Sequence, residues 1–313
     1  MRAATVRRLG GVGLLVLLLA LPWMINPYAI STVTRILVIG LLAISVNLLT
    51  GVTGLPTLGQ SAYFGIGAYT GAIVSTTLTA VGPVQMLLAA LAAGLAAAVT
   101  GPVAMRARGV SFLMITLAIG EIAYVAARRL DITHGTDGYA GIPPVVPLPG
   151  LPALRLEGLV YYYVLGGFLL VFGLVMLLLR SPFGLALRGL RDNESRLKAV
   201  GYPTSTFGVA IYCIAGVVAG IAGSLWTSAQ QFVAPGDMGF SVAALALLAV
   251  VIGGLGSMWG SVVGAGLVVL TQDYIGGYLA GYGTLLLGVL FVLVVYLLPR
   301  GIAGLPLSRK VSA

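Results

Sequence analysis

Apolar residues occur along the chain in long runs separated by short polar, basic or glycine-rich stretches. A bilayer core takes about 20 apolar residues per helix. Runs at 9–25, 29–50, 58–80, 84–104, 110–128, 158–180, 205–227, 241–254, 260–280 and 283–299 therefore predict about ten spans. The third, TLGQSAYFGIGAYTGAIVSTT, is rich in glycine and hydroxyls and reads as a re-entrant or broken helix. The eighth is short and ends in GGLGS. Irregular backbone at membrane depth is tolerated only where protein covers it. The expected fold class is an all-α polytopic membrane protein. Five spans lie on each side of a long loop at 129–157, which predicts two five-helix halves of opposite orientation, and glycine-punctuated loops recur at 51–59 and 253–260. The Gly and Pro content of the 129–157 loop forbids a long helix, so it reads as a structured loop or short lid.

Composition agrees with this pattern. The chain is 59% hydrophobic and only 8% charged, with a mean hydropathy of +1.08, which places it among membrane proteins. A net charge of +9 would suggest nucleic acid in a soluble protein. Here the placement of the basic residues reports topology, and no nucleic-acid partner is expected. With the N-terminus inside, the loops put thirteen Arg/Lys on the cytoplasmic side and only Arg35, Arg128, Arg129 and Arg155 outside. That bias predicts an even number of spans and two cytoplasmic termini. The start, MRAATVRRLGGVGLLVLLLALPWM, has the basic and apolar regions of a secretory signal, but no clear small-x-small site follows Ala20. Residues 1–28 are read as an uncleaved, signal-anchor-like first span, with cleavage as the alternative.

Forty-five glycines predict closely packed helices, with small-xxx-small spacings at Gly67/Gly71, Gly216/Gly220 and Gly260/Gly264. The single cysteine, Cys213, excludes an internal disulfide and reads as a buried thiol. His134 stands between Asp131 and Asp137, three residues from each, yet a solvated loop histidine is the expected reading and no metal site is expected.

Two halves of opposite orientation are the arrangement seen in inverted-repeat transporters, and a transporter needs an energy source. Neither lysine, Lys198 or Lys310, follows a glycine-rich phosphate loop, so the chain cannot be its own ATPase. Among the acids, only Glu121 lies well inside an expected span, with Asp273 near the outer end of another, which is sparse for a proton relay. Paired half-helices with NPA turns are absent, and no histidine pair, triad or metal cluster supports an enzyme.

The charged exception is SPFGLALRGLRDNESRLKAVGYP at 181–203. Ser181 and Pro182 open a helix, and Gly201 and Pro203 stop it. Phe183, Leu187, Leu190 and Leu197 form one stripe, so the helix is amphipathic. Asp192–Arg196 and Glu194–Lys198 have the spacing of i,i+4 pairs. Glu194 falls within the leucine stripe, and a second short helix from Asn193 to Val200 is an alternative to one continuous helix. Such a segment either lies on anionic headgroups or is offered to a separate ATPase.

This segment resembles the cytoplasmic signature of the branched-chain amino acid ABC transporter permease family, in particular its LivM-type members. NLLTGVTGLPTLGQSAYFGIGAYTGA at 47–72, THGTDGYAGIP at 133–143, GGLGSMWGSVVGA at 253–265 and LPRGIAGL at 298–305 are similar to further motifs of that family. The likeness covers roughly residues 30–305. It departs at Pro56–Thr57 and at Leu185, where the family commonly has Arg.

The resemblance implies an importer permease domain over 29–305 and a cytoplasmic tail at 306–313, in a bacterial plasma (inner) membrane. It implies a second, LivH-like permease, two cytoplasmic ABC ATPases and a periplasmic or lipid-anchored substrate-binding protein. This chain then holds no cofactor, ATP and Mg being bound by the ATPases. Carried onto this sequence, Arg188, Arg191, Asp192, Asn193, Glu194 and Gly201 form the ATPase-coupling segment.

The implied substrate is a branched aliphatic amino acid. It needs an acceptor for its ammonium, donors for its carboxylate and an apolar slot. Glu121 is the candidate acceptor, with backbone N–H groups at Gly51, Gly54 and Gly59 as donors and Tyr63 and Phe64 along the slot. An interhelical hydrogen bond or a pair with Arg128 is the equal alternative for Glu121. Urea, short amides and other small organic acids are alternative substrates. A self-sufficient proton-coupled carrier is the alternative of a different class.

Overall fold

The computed structural model describes residues 18–23, 26–275, 283–298 and 301–304. Of the expected first span only 18–23 is described, as helix, and the 306–313 tail lies outside the described residues. The elements are α1 (Pro27–Asn47), α2 (Gln60–Thr77), α3 (Gly82–Ala104), α4 (Val110–Arg129), α5 (Glu157–Arg180), α6 (Pro182–Asp192), α7 (Glu194–Ala199), α8 (Thr204–Gln230), α9 (Phe240–Gly253), α10 (Met258–Leu270) and α11 (Gly283–Leu297). α1 and α10 run on into π-helical turns at Leu48–Thr53 and Thr271–Ile275. Among the described residues there is no strand. Isolated bridges from Val146 to Val81 and from Tyr139 to Val233 tie the long loop to the bundle.

Prolines open α1, α3 and α6, where the missing N–H costs nothing and the fixed φ suits the first turn. Pro27–Thr53, Gly82–Ala104, Val110–Arg129, Glu157–Arg180 and Thr204–Gln230 are each long and apolar enough to cross a membrane. The chain is therefore an all-helical, multi-pass membrane protein. α2 is unbroken over 18 residues. The irregular backbone expected of the third span lies just ahead of it, where Gly54 takes a left-handed φ of 75°. α9 and α10 are shorter, at 14 and 13 residues.

The polar, glycine-rich α2 is kept out of lipid by α8. A Cβ on Gly67 would collide with the Gly220 carbonyl, so the two backbones touch. The Thr227 hydroxyl of α8 donates to the Ala68 carbonyl of α2 at 2.8 Å. On its other side α8 meets Ala89, Ala93 and Ala97, a fully buried stripe of α3 at four-residue spacing. A second close seam joins Gly253 of α9 to Gly260 of α10. Lipid offers no hydrophobic gain for bringing helices together, so such seams depend on van der Waals contact that only small residues permit.

The packing is exchanged along the chain. α1 packs on the later helices α9 and α10, whereas α8 packs on the earlier helices α2 and α3, and α1 and α8 meet each other. The α1 window is 83% buried while those of α3 and α4 are 22% buried, so α1 is the core and α3 and α4 lie at the periphery. One end of the bundle, the basic end, carries Arg106, Arg108, Arg180, α6 and α7. The other, the loop end, carries 131–156.

Candidate functional site

At the basic end the charged segment is two helices meeting at an angle. Asn193 is extended (φ −163°), and its side chain caps α7 by accepting the Arg196 N–H at 2.9 Å. The break puts Asp192 and Arg196 on different helices, so the i,i+4 spacing that suggested their pairing no longer applies. Asp192 is exposed at the end of α6. Leu187 and Leu190 bury the apolar face of α6, and Phe183 stacks on Phe207 of α8 with ring centroids 5.3 Å apart. Arg188 is exposed and donates to the Leu179 carbonyl at 3.1 Å. Gly201, left-handed at φ 93°, ends the turn after α7.

Two side chains anchor this segment to the bundle. The Arg191 guanidinium donates to the Gly51 carbonyl in the π turn that ends α1. Its stem lies so close to Gly54 that a Cβ there would come within 3.2 Å of Cγ, and its Nη1 faces Gly256 beyond α9. Glu194 accepts from Arg108 at 2.9 and 3.0 Å, from Lys198 at 2.9 Å and from the Thr204 hydroxyl at 3.2 Å. The Arg108 hydrogen bonds, foremost, hold the Glu194 carboxyl well below the usual range, at about 2. Glu194 therefore braces α7 against its own chain, joining the α3–α4 turn to the start of α8. Behind the Arg191 joint, fully buried Asn47 donates to the Ser257 carbonyl at 3.0 Å and the Ser261 hydroxyl at 2.8 Å, and accepts the Gly256 N–H at 2.9 Å.

The residues grouped above as a substrate pathway are dispersed. Gly51 and Gly54 belong to the Arg191 joint. Gly59 lies against the Thr116 backbone. Tyr63 is buried in a network with the Thr100 and Tyr212 hydroxyls at 2.5 and 2.8 Å. Glu121 is exposed on the outer face of α4, midway along it. Phe64 packs edge-on to Trp226, ring centroids 6.0 Å apart, and borders a cavity of about 230 Å³. The His134 ring lies 4.6 Å from that of Tyr139 in the long loop.

That cavity gathers charge that the sequence scattered. Arg35, counted above with the external residues, stands inside α1 and pairs with Asp273 of the second π turn at 2.8 Å. Its guanidinium also lies 5.8 Å from the Trp226 ring, within cation–π range. Asp237, in the 3₁₀ turn before α9, accepts the Ala234 N–H at 2.9 Å and lines the cavity together with Trp226. Burial pushes the Asp237 carboxyl up, against the opposing pull of the Ala234 N–H, the neighbouring Trp226 indole and Arg35. Gln272 and the side chains of Ile39, Val242, Leu245, Val268 and Val269 complete the lining. A charged residue inside an expected span was the signal available for Arg35; nothing in the sequence singled out Asp237 or Trp226.

A multi-pass helical bundle with a braced amphipathic segment at one end is the architecture of a membrane permease. The chain belongs to the family described as "Branched-chain amino acid transport system / permease component", which matches residues 11–295; it is a transport component, not a catalytic one. It is 30% identical to the "High-affinity branched-chain amino acid transport system permease protein LivM" of Escherichia coli K12, over 95% of this chain and 75% of the relative. The Salmonella typhimurium protein of the same name is 29% identical over 95% and 74% of the two chains. The "Probable branched-chain amino acid transport permease protein LivH" of Methanocaldococcus jannaschii is 26% identical over 84% and 88%. No solved structure matches this chain.

Proposed function

We propose that this chain is the permease subunit of an ATP-driven importer for branched aliphatic amino acids, with the basic end and both termini in the cytoplasm. One observation carries the mechanism: Arg191 of α6 grips the Gly51 carbonyl and lies against Gly54 and Gly256. A push on α6 from an ATPase is then delivered to the α1–α2 and α9–α10 connections together, the two joints about which the core helices would turn. Glu194, held by Arg108, keeps α7 seated during that stroke. Leu185, Val200 and Tyr202 stay exposed at this end and give a partner apolar ground.

The remaining assembly follows from the family: a second LivH-like permease, two ABC ATPases that bind the ATP and Mg, and a substrate-binding protein on the far side. The exchange of packing partners between α1 and α8 supports the reading of two related halves. The test is uptake of L-leucine by proteoliposomes that contain the assembled complex. Uptake that requires ATP and the binding protein is the expected result. Uptake by the chain alone under a pH gradient would replace this reading with a self-sufficient carrier.

A further inference from the structure

The cavity between α1, α8 and α9 lies in the loop-end half of the bundle, away from the charged segment of α6 and α7, and its groups are incompletely matched to one another. Arg35 meets Asp273 through one terminal nitrogen, but its Nε is buried with no hydrogen-bond partner among the described residues. Arg35 keeps 32% of its side chain exposed, so the cavity is open on that side. With both carboxylates ionised, Arg35 stands as one cation against two anions, Asp237 of the lining and its own partner Asp273, which does not line the cavity. A buried charge without a full partner is costly, and a ligand that supplies the missing charge recovers that cost. A volume of about 230 Å³ is below the roughly 300–1,000 Å³ of sites for drug-sized ligands, which selects a small solute.

We propose that this cavity binds a small aliphatic α-amino acid as its zwitterion, the carboxylate on Arg35 Nε and the Gln272 amide, the ammonium on Asp237, and the side chain among Ile39, Val242, Leu245 and Val268. The proposal rests on the permease reading and deepens it by giving the transported solute a defined station within this chain. A zwitterion adds no net charge to the cavity while supplying one ion of each sign. A carboxylic acid without the amine adds a further anion where Asp237 and Asp273 already outnumber Arg35. An amine without the carboxylate leaves Nε unmatched. Phe64 and Trp226 close the slot on the α2 and α8 side.

Every group in the cavity belongs to this chain, so the test uses the full chain in lipid nanodiscs, with L-leucine as probe and equilibrium dialysis as readout. Saturable leucine binding is expected, with leucinamide and 4-methylpentanoate each weaker by about tenfold or more, because each leaves a buried charged group unpaired. Arg35→Lys keeps a cation beside Asp273 but removes Nε and the planar fork. It should weaken leucine about tenfold and leave leucinamide unchanged. Asp237→Asn should weaken leucine and leave 4-methylpentanoate unchanged. The analogue series on the unmodified chain stands whether or not a variant folds. Absence of saturable leucine binding overturns the proposal. So does equal binding of leucine and 4-methylpentanoate, which marks a carboxylate site only, or unchanged leucine affinity in both folded variants. The permease reading fails separately: it falls if the assembled complex shows no ATP-dependent uptake, and it survives if uptake proceeds while the cavity binds nothing.

Discussion

The basic end and the Arg35 cavity both place charge in an oily protein, and they do so in opposite ways. At the basic end the charges are contiguous in sequence, from Arg188 to Lys198, and mostly exposed. Two anchors hold them, reaching 140 and 86 residues back along the chain, to Gly51 and to Arg108. At the cavity, Arg35 and Asp237 of the lining and Asp273, the partner of Arg35, are far apart in sequence and come together only because α1, the turn before α9 and the second π turn converge. The lesson is physical. A run of charge in a lipid-soluble chain is conspicuous because it must leave the membrane, whereas single charges near helix ends look like ordinary topological markers until the fold assembles them.

The joint behind the basic end can be broken most severely at Asn47. Asn47→Leu removes three hydrogen bonds of a fully buried side chain and orphans the Gly256 N–H, while the Ser257 carbonyl keeps the Ser261 N–H. The expected loss is about 3 kcal/mol, read as a lower melting temperature in detergent. A melt equal to that of the parent would mean that the α1–α10 joint is not the hinge described here.

Arg191→Glu sets a carboxylate against the Gly51 carbonyl and should reduce ATP-driven uptake by at least about tenfold, ~1.4 kcal/mol in barrier terms, in a chain that still inserts and melts normally. Unchanged uptake would remove the coupling role of α6. A smaller effect is expected for the Glu194 clamp, whose partners are 39% and 26% exposed. A double-mutant cycle of Arg108→Gln and Glu194→Gln should give a coupling of about 1 kcal/mol or less. A coupling of zero would leave α7 held by its cap and apolar contacts alone.

The smallest effect is that of pH. Because the folded Glu194 carboxyl is held down at about 2, its contribution is complete above the ordinary glutamate value near ~4.3. It is lost as pH falls from there through about 2. Isotope-edited infrared spectra of the Glu194 carboxylate should therefore show it ionised at pH 3.5, and protonation at the ordinary value would remove the clamp.

Much of the fold was legible. α3, α4, α5 and α8 lie within three residues of the expected spans, because apolar length is dictated by bilayer thickness. The start of the charged segment at Ser181–Pro182 was legible for a similarly local reason, the chemistry of a helix N-terminus. The split at Asn193 was left between two readings, since Asp192 and Asn193 are both good caps and only backbone geometry separates them. The candidate pathway fared differently. Gly51 and Gly54 looked like carboxylate donors because glycine-rich turns expose N–H groups, yet Arg191 occupies that ground. Glu121 looked like an ammonium acceptor because it lies inside a span, yet it is on the outer face of α4. Of the six residues grouped there, Phe64 alone borders the cavity.

The sequence by itself determined that this chain is a helical membrane protein, where its long apolar helices run, and that one charged segment must lie outside the lipid. Each of these follows from solvation, which acts on a residue and its near neighbours. Only the tertiary structure decided that Arg191 would hold the α1 joint, that Glu194 would face Arg108, and that Arg35, Asp237 and Trp226 would share one cavity. Those are contacts between distant segments, and they exist because glycine and alanine seams let particular helices approach closely enough to bring particular side chains together.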